Sequence, residues 1–200
     1  MLTSLLLRFP GIYSLFGAIV GGNGRARLVE AHIRPEPGQR ILDIGCGPAD
    51  ILGWLPGGVT YVGFDESQTY VRAAERRFGS RGTFHCATVT RELVGAYSGY
   101  DVVLALGVLH HLPDEDCRTL LEIGRAALRP GGRLITLDGC FVEKQGALQR
   151  WLLARDRGTH IRTVDGYLVL AREVYASVEP RIYTDLIRLP YTHLVMECTR

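Results

Sequence analysis

The sequence predicts an α/β domain: a mostly parallel, seven-stranded sheet with helices on both faces, a reversed final strand and a helical extension at the N-terminus. Three observations carry this. Short apolar runs alternate with segments whose apolar residues recur at helical spacing, the pattern of strands joined by crossover helices. The run Asp101–Leu106 (DVVLAL) is apolar almost throughout, as a strand covered on both faces must be. Two late strands, about Arg181–Ile187 and Tyr191–Cys198, are separated only by Arg188-Leu189-Pro190, too short a link for a crossover, so they pair antiparallel.

The elements follow in order. Residues 11–33 read as one or two helices broken near Gly21-Gly22, and Pro35 and Pro37 mark a linker. We therefore divide the chain into a helical extension or lid, residues 1–36, and a main domain, residues 37–200. Arg40–Ile44 is the first strand, followed by a short helical segment around Ala49–Leu55, and Pro56-Gly57-Gly58 turns into a second strand, Thr60–Phe64. Ser67 can cap a helix to Phe78, in which Tyr70, Val71, Ala74 and Phe78 share a face. Gly82–Cys86 is a short strand, and Asp114–Leu128 a helix burying Leu120, Leu121, Ile123 and Leu128. Pro130-Gly131-Gly132 stops that helix before the strand Arg133–Leu137, and Gly146–Arg155 and Asp165–Ala176 are further helices.

Composition narrows the function. The 200 residues suit one domain, and 46% hydrophobic against 22% charged residues is an ordinary soluble balance. The net charge of +2 and the lack of any basic run longer than Arg76-Arg77 give no nucleic-acid signature. Five scattered cysteines form no CxxC pair, which argues against a disulfide framework or a zinc site and fits a reducing cytoplasm. The apolar N-terminus is interrupted by Arg8 and Pro10, short of a membrane span, and lacks the basic start of a signal peptide. A helix packed on the domain is the favoured reading, with an interfacial helix as the alternative.

In such a sheet ligands sit beyond the carboxyl ends of the strands, near the switch in strand order. Gly45 and Gly47, after the first strand, allow a sharp turn and close backbone approach. A dinucleotide fingerprint wants a third glycine where this chain has Asp50, and Asp43 adds further negative charge. The loop thus suits a ligand without phosphates, one that carries positive charge. Asp65 lies where a carboxylate accepts hydrogen bonds from a ribose diol, and a helix cap is its plain structural alternative.

The ordered stretches DIGCGPAD, GFDES, YDVVLALGVLHHLPD and LRPGGRLITLDG, from about Gln39 to Gly139, resemble the motifs of class I S-adenosylmethionine-dependent methyltransferases. The resemblance implies a Rossmann-like fold and S-adenosylmethionine as cofactor. It implies methyl transfer to an O, N or S nucleophile of a small molecule, with neither nucleic acid nor firm membrane association. It assigns the methionine part of the cofactor to Asp43, Gly45, Cys46, Gly47, Leu106 and Gly107, with Asp43 holding the ammonium or bracing the loop, and the ribose to Asp65 with Glu66 beside it. Many members carry an Asp at the end of the third strand, against the adenine amino group. Here Thr88 aligns with it, so Thr88 or the backbone takes that role.

For the acceptor side, His110, His111 and Asp138 are the candidate catalytic residues. Either histidine could act as a general base, or both could simply pack and bond backbone. Cys140 also lies at this mouth. The segment Arg155–Arg162 (RDRGTHIR) either grips an anionic acceptor or is a solvated charged turn. An NAD-dependent oxidoreductase, a non-catalytic binding protein and an RNA methyltransferase are the rival readings. The missing third glycine, the intact loop and the absence of a basic face count against them in turn.

Overall fold

The computed structural model describes residues 23–95, 97–156 and 158–200. Helix α1 (Gly24–Leu28) continues as a π-helical turn, Val29–Ile33, into β1 (Arg40–Ile44) and a 3-10 turn, Asp50–Trp54. Then come β2 (Thr60–Asp65), α2 (Gln68–Phe78), β3 (Gly82–Cys86), α3 (Arg91–Gly95), β4 (Tyr100–Leu106) and a second 3-10 turn, Leu109–His111. The remainder is α4 (Asp114–Ala127), β5 (Leu128–Phe141), α5 (Ala147–Ala154), β6 (Arg162–Thr163), α6 (Val164–Val174), β7 (Ser177–Tyr183) and β8 (His193–Thr199).

The sheet order is β3-β2-β1-β4-β5-β8-β7, with the two-residue β6 beside the end of β5. The first five strands of that path are parallel, whereas β8 runs against both β5 and β7. Strand order reverses between β1 and β4, so the crevice for a ligand opens above that pair.

Side-chain alternation along the strands explains the two layers. On one face Leu42, Ile44, Val103, Ala105 and Leu134 meet α4 and α6 through Leu120, Leu121, Tyr167 and Ala171. On the other, Ile41, Tyr61, Val102, Leu104 and Ile135 meet Leu28 and Ile33 of the N-terminal helical turns and Val71 and Phe78 of α2. Each fully buried leucine in these layers contributes roughly 2 kcal/mol of transfer free energy. Residues 24–33 are therefore built into the main core. The lid expected over residues 1–36 falls largely on residues 1–22, outside the described residues.

Some boundaries differ from the sequence reading. β7 starts at Ser177 rather than Arg181, and residues 184–192 link it to β8, not Arg188-Leu189-Pro190. β7 is an edge strand, exposed at most positions and tolerant of Pro180, so it carries no apolar run. The apolar signal comes instead from Leu186, a buried loop residue whose carbonyl lies so close to Gly24 that any side chain there would overlap it. Pro130-Gly131-Gly132 lies inside β5, where the register with β4 shifts between Tyr100 and Val102. Gly131 takes φ +74° and its N–H bonds the Arg200 carbonyl.

A polar knot centred on Glu197 ties the π-helical turn to β5, β7 and β8. His32 bonds Glu197 through Nδ1 and the Tyr183 hydroxyl through Nε2, both at 2.7 Å. Glu197 also takes Arg34 at 2.6 Å and Arg133 at 3.1 Å, and Arg133 reaches the carbonyls of His32 and Ile33. Removing the shared carboxylate would leave a buried histidine and a half-buried guanidinium short of a partner. Glu197→Ala should cost about 2–3 kcal/mol and lower Tm by roughly 5–10 °C in a calorimetric scan. An unchanged Tm would mean the knot is dispensable.

Candidate functional site

The end of β2 organises the glycine loop. The Phe64 carbonyl accepts the N–H groups of both Gly45 (2.8 Å) and Cys46 (2.9 Å), which swings the chain off β1. Gly45 and Gly47 adopt φ +73° and +54°, a region costly for residues with a side chain. A Cβ on Gly45 would meet Val108 Cγ2 at 2.7 Å, so the β1 and β4 loops need that glycine to pack. Nothing lies within 4 Å of a Cβ on Gly47, whose open side faces the cavity.

Asp65 joins the two halves of this edge. Its Oδ2 accepts the Gly47 N–H at 2.9 Å and its Oδ1 the Ser67 N–H at 2.8 Å, while Ser67 caps α2 by accepting from the Tyr70 N–H. A carboxylate has about four acceptor positions, so two remain for a ligand diol. Next to it, Glu66 Oε1 accepts from the Thr88 hydroxyl at 2.8 Å.

These groups border a cavity of about 630 Å³ at the carboxyl edge of the sheet. Of the expected site residues, Gly45, Gly47, Asp65, Glu66, Thr88, Leu106, Gly107 and His111 line it. Ile44, Phe64, Ala87 and Val89 give it apolar walls for a flat ring. Tyr70 from α2 and Asp116 and Thr119 from α4 also border it. Sequence reasoning placed Tyr70 on a buried face and gave the other two no role, because helix periodicity does not reveal which exposed residues overhang a strand end.

Four expected residues stand apart from the cavity. Asp43 is buried under the loop and accepts the Tyr61 hydroxyl at 2.5 Å through Oδ2, while Oδ1 has no hydrogen-bond partner. Burial raises its pKa to about 7, against the hydrogen bond from Tyr61, and the nearby Asp65 charge adds to the rise. Asp43 thus braces the loop from below. Cys46 packs where Gly63 leaves room, since a Cβ there would meet its Sγ at 2.8 Å; burial and the charges of Asp43 and Asp65 push its thiol far up. Asp50, expected to repel a pyrophosphate, instead pairs with Arg77 (2.5 Å) and Arg25 (3.3 Å), so its charge is offset and that argument loses its force.

His110 and Asp138 form the other separate pair. His110 Nδ1 lies 2.7 Å from Asp138 Oδ1, which also accepts the His110 backbone N–H. Burial pulls the imidazole pKa down, but the hydrogen bond and charge of Asp138, with the charge of Asp156, outweigh it and raise the net value. His111 lies beside it with ring centroids 4.2 Å apart and the rings tilted by 41°, and it borders the same cavity as the glycine loop. Cys140 is buried, its thiol pushed up to about 12 by burial. Arg162 is not available for an anion: it donates to the carbonyls of Leu109, Leu112 and His160 and to Asp114. Arg155 lies over the Trp151 ring, and Arg157 is outside the described residues.

Comparison with known proteins bears on this geometry. Residues 41–132 match a family model described as a methyltransferase domain, a span holding the glycine loop, Asp65 and the histidine pair. A tRNA U34 carboxymethyltransferase of Trichlorobacter lovleyi is 33% identical over 150 residues, 66% of this chain and 43% of that protein. A ubiquinone biosynthesis O-methyltransferase of Brucella melitensis is 32% identical over 138 residues, 64% of this chain and 54% of that protein. The chain thus spans about half the length of these curated relatives. The solved structure of the S-adenosylmethionine-dependent methyltransferase SibL in its apo form superposes with a TM-score of 0.73 at 20% identity, covering 98% of this chain and 61% of that one, a likeness of fold. With the motifs, the reversed strand and the family match in agreement, the chain carries a methyltransferase domain of the class I S-adenosylmethionine-dependent family.

Proposed function

We propose that this protein is an S-adenosylmethionine-dependent methyltransferase acting on an O, N or S nucleophile of a small molecule. The observation that carries the reading is the cavity in which Gly45, Gly47 and Asp65 meet at the point where strand order reverses. The residues present fit the cofactor: open glycine backbone for the methionine part, the spare acceptors of Asp65 for the ribose, and the apolar walls with Thr88 and Glu66 for the adenine. When bound, the cofactor supplies an electrophilic methyl group on a sulfonium. The chain's own work is to orient the two reactants, which can supply on the order of 7–11 kcal/mol. We assign the acceptor's proton chemistry to His110, His111 and Asp138, of which His111 borders the cavity and the other two form a buried pair behind it.

A small acceptor is favoured by the mild net charge and by the absence of a long basic run. The relative named for tRNA supports the other choice, a nucleic-acid acceptor. Turnover to S-adenosylhomocysteine with a panel of phenols, amines and thiols, run beside bulk tRNA, separates the two. Five free thiols fit the reducing cytoplasm as its location. No helix among the described residues is long and apolar enough to cross a membrane.

S-adenosylhomocysteine should bind at about one per chain in calorimetry, and Asp65→Ala should weaken it by roughly 1–3 kcal/mol. Binding of NADH in place of both sulfur ligands would overturn the reading. Asp43 has a folded pKa raised to about 7, so its neutral form stabilises the fold at low pH, and that contribution fades as pH rises from about 4 through 7. Asp43→Asn, which keeps an acceptor for Tyr61, should match the wild-type stability at low pH and exceed it near pH 8 by on the order of 2–4 kcal/mol, read as a higher Tm there. Parallel Tm-against-pH curves for the two proteins would contradict this.

A further inference from the structure

One part of the cavity rim is built from hydrogen-bond acceptors. The parallel pairing of β2 with β3 ends at Asp65 and Cys86, and the Ala87 N–H then donates to the Asp65 carbonyl at 3.1 Å. That bond carries the register one step past the strands. Glu66 and Thr88 therefore emerge side by side, although 22 positions separate them in the chain. The Thr88 hydroxyl donates to Glu66 Oε1 at 2.8 Å, and both side chains border the cavity and are exposed. The loop after β3 lends the cavity Ala87, Thr88 and Val89, so the carboxylate at this place comes from β2 and not from β3. From α4, Asp116 and Thr119 border the same cavity.

The chemistry of the pair fixes which way its hydrogen bonds run. A hydroxyl has one proton and two lone pairs, whereas a carboxylate only accepts. The proton of Thr88 is therefore committed to Glu66, and the hydroxyl has only lone pairs left to offer a ligand. Glu66 Oε2 and the Asp116 carboxylate are acceptors too. A ligand group that donates finds a partner here. A ligand group that accepts meets lone pairs, and Thr88 can serve it only by giving up Glu66.

We propose that Glu66 is a positioning residue that sets the hydrogen-bond polarity of Thr88, and that the pair makes the cavity select a 6-amino purine over a 6-oxo purine on its nucleoside ligand. This rests on the methyltransferase reading above and names the residues that choose the base. The amino group donates to Thr88 Oγ1, which Glu66 holds in its accepting orientation. A carbonyl at the same ring position faces the lone pairs of Thr88 and Glu66, so rejection comes from repulsion as well as from a missing bond. Glu66 acts through its inability to donate, not through its size. A side chain of the same length that can donate frees the Thr88 proton and relaxes the choice.

The test is calorimetry of the full chain with S-adenosylhomocysteine and with its deaminated analogue, S-inosylhomocysteine. Wild type should bind the adenosyl ligand more tightly, on the order of 10–100-fold. Thr88→Val keeps the shape of the side chain and removes the hydroxyl, and should bring the ratio to within about threefold. Thr88→Ser should hold the wild-type ratio. Glu66→Gln should bind the inosyl ligand about tenfold more tightly than wild type does, because its amide can donate to Thr88 and turn the hydroxyl proton toward the carbonyl. A glutamate that only packed would confer no such gain when replaced. Equal affinity of wild type for the two ligands overturns the proposal. So does one common preference in wild type, Thr88→Val and Glu66→Gln, and in both cases the methyltransferase reading stands. Failure of wild type to bind S-adenosylhomocysteine overturns that reading and the proposal with it.

Discussion

The carboxyl end of β2 is the hinge of the molecule. One carbonyl, Phe64, and one carboxylate, Asp65, take three successive backbone donors from Gly45, Cys46 and Gly47. Without those acceptors the chain leaving β1 would have three unpaired N–H groups at the edge of a dry sheet, and the loop would have no fixed direction. With them the loop is held open over the cavity, and the other oxygen of Asp65 starts α2 by taking the Ser67 N–H. The cradle and the first helix after it therefore depend on the same side chain. Asp43 and Tyr61 support the loop from the core side.

Much of this was legible in the sequence, and the reasons are local. The central strands are buried on both faces, so their runs are apolar and stand out. The glycines were readable because the loop geometry forbids side chains at Gly45 and places Gly47 in left-handed backbone. Asp65 was readable from its place at the end of a strand. The misses are non-local or exposed. β7 lies on the sheet edge and carries few buried residues, so its start is invisible to hydrophobic patterning. For Asp43 the sequence leaves two roles open, holding the ammonium or bracing the loop, because which way a strand residue faces depends on the layer it serves; here it faces Tyr61, on the side of the bracing role.

The acceptor half was legible only in outline. The histidine pair stands out in the sequence, yet hydrophobic patterning does not separate two neighbours. A 3-10 turn splits them: His111 borders the cofactor cavity, and His110 turns to Asp138. The segment Arg155–Arg162 was also singled out, but for its arginines. In the structure it is Asp156 of this segment that meets Tyr191 and His110, which lie 35 residues later and 46 residues earlier in the chain, and only the fold brings them together. Arg162, which reads in the sequence as an anion hook, instead donates to the carbonyls of Leu109 and Leu112 around the 3-10 turn.

The loops after β1, β2, β3 and β4 converge on one cavity, and the whole reading of the molecule depends on that cavity being the ligand site. Amide chemical-shift mapping on the full chain with S-adenosylhomocysteine tests it most directly. The largest perturbations are expected at Gly45, Gly47, Asp65, Thr88 and Gly107, with the His32–Glu197 knot, away from the cavity, unmoved. Saturable binding that perturbs other surfaces and leaves the glycine loop and Asp65 unchanged would contradict it.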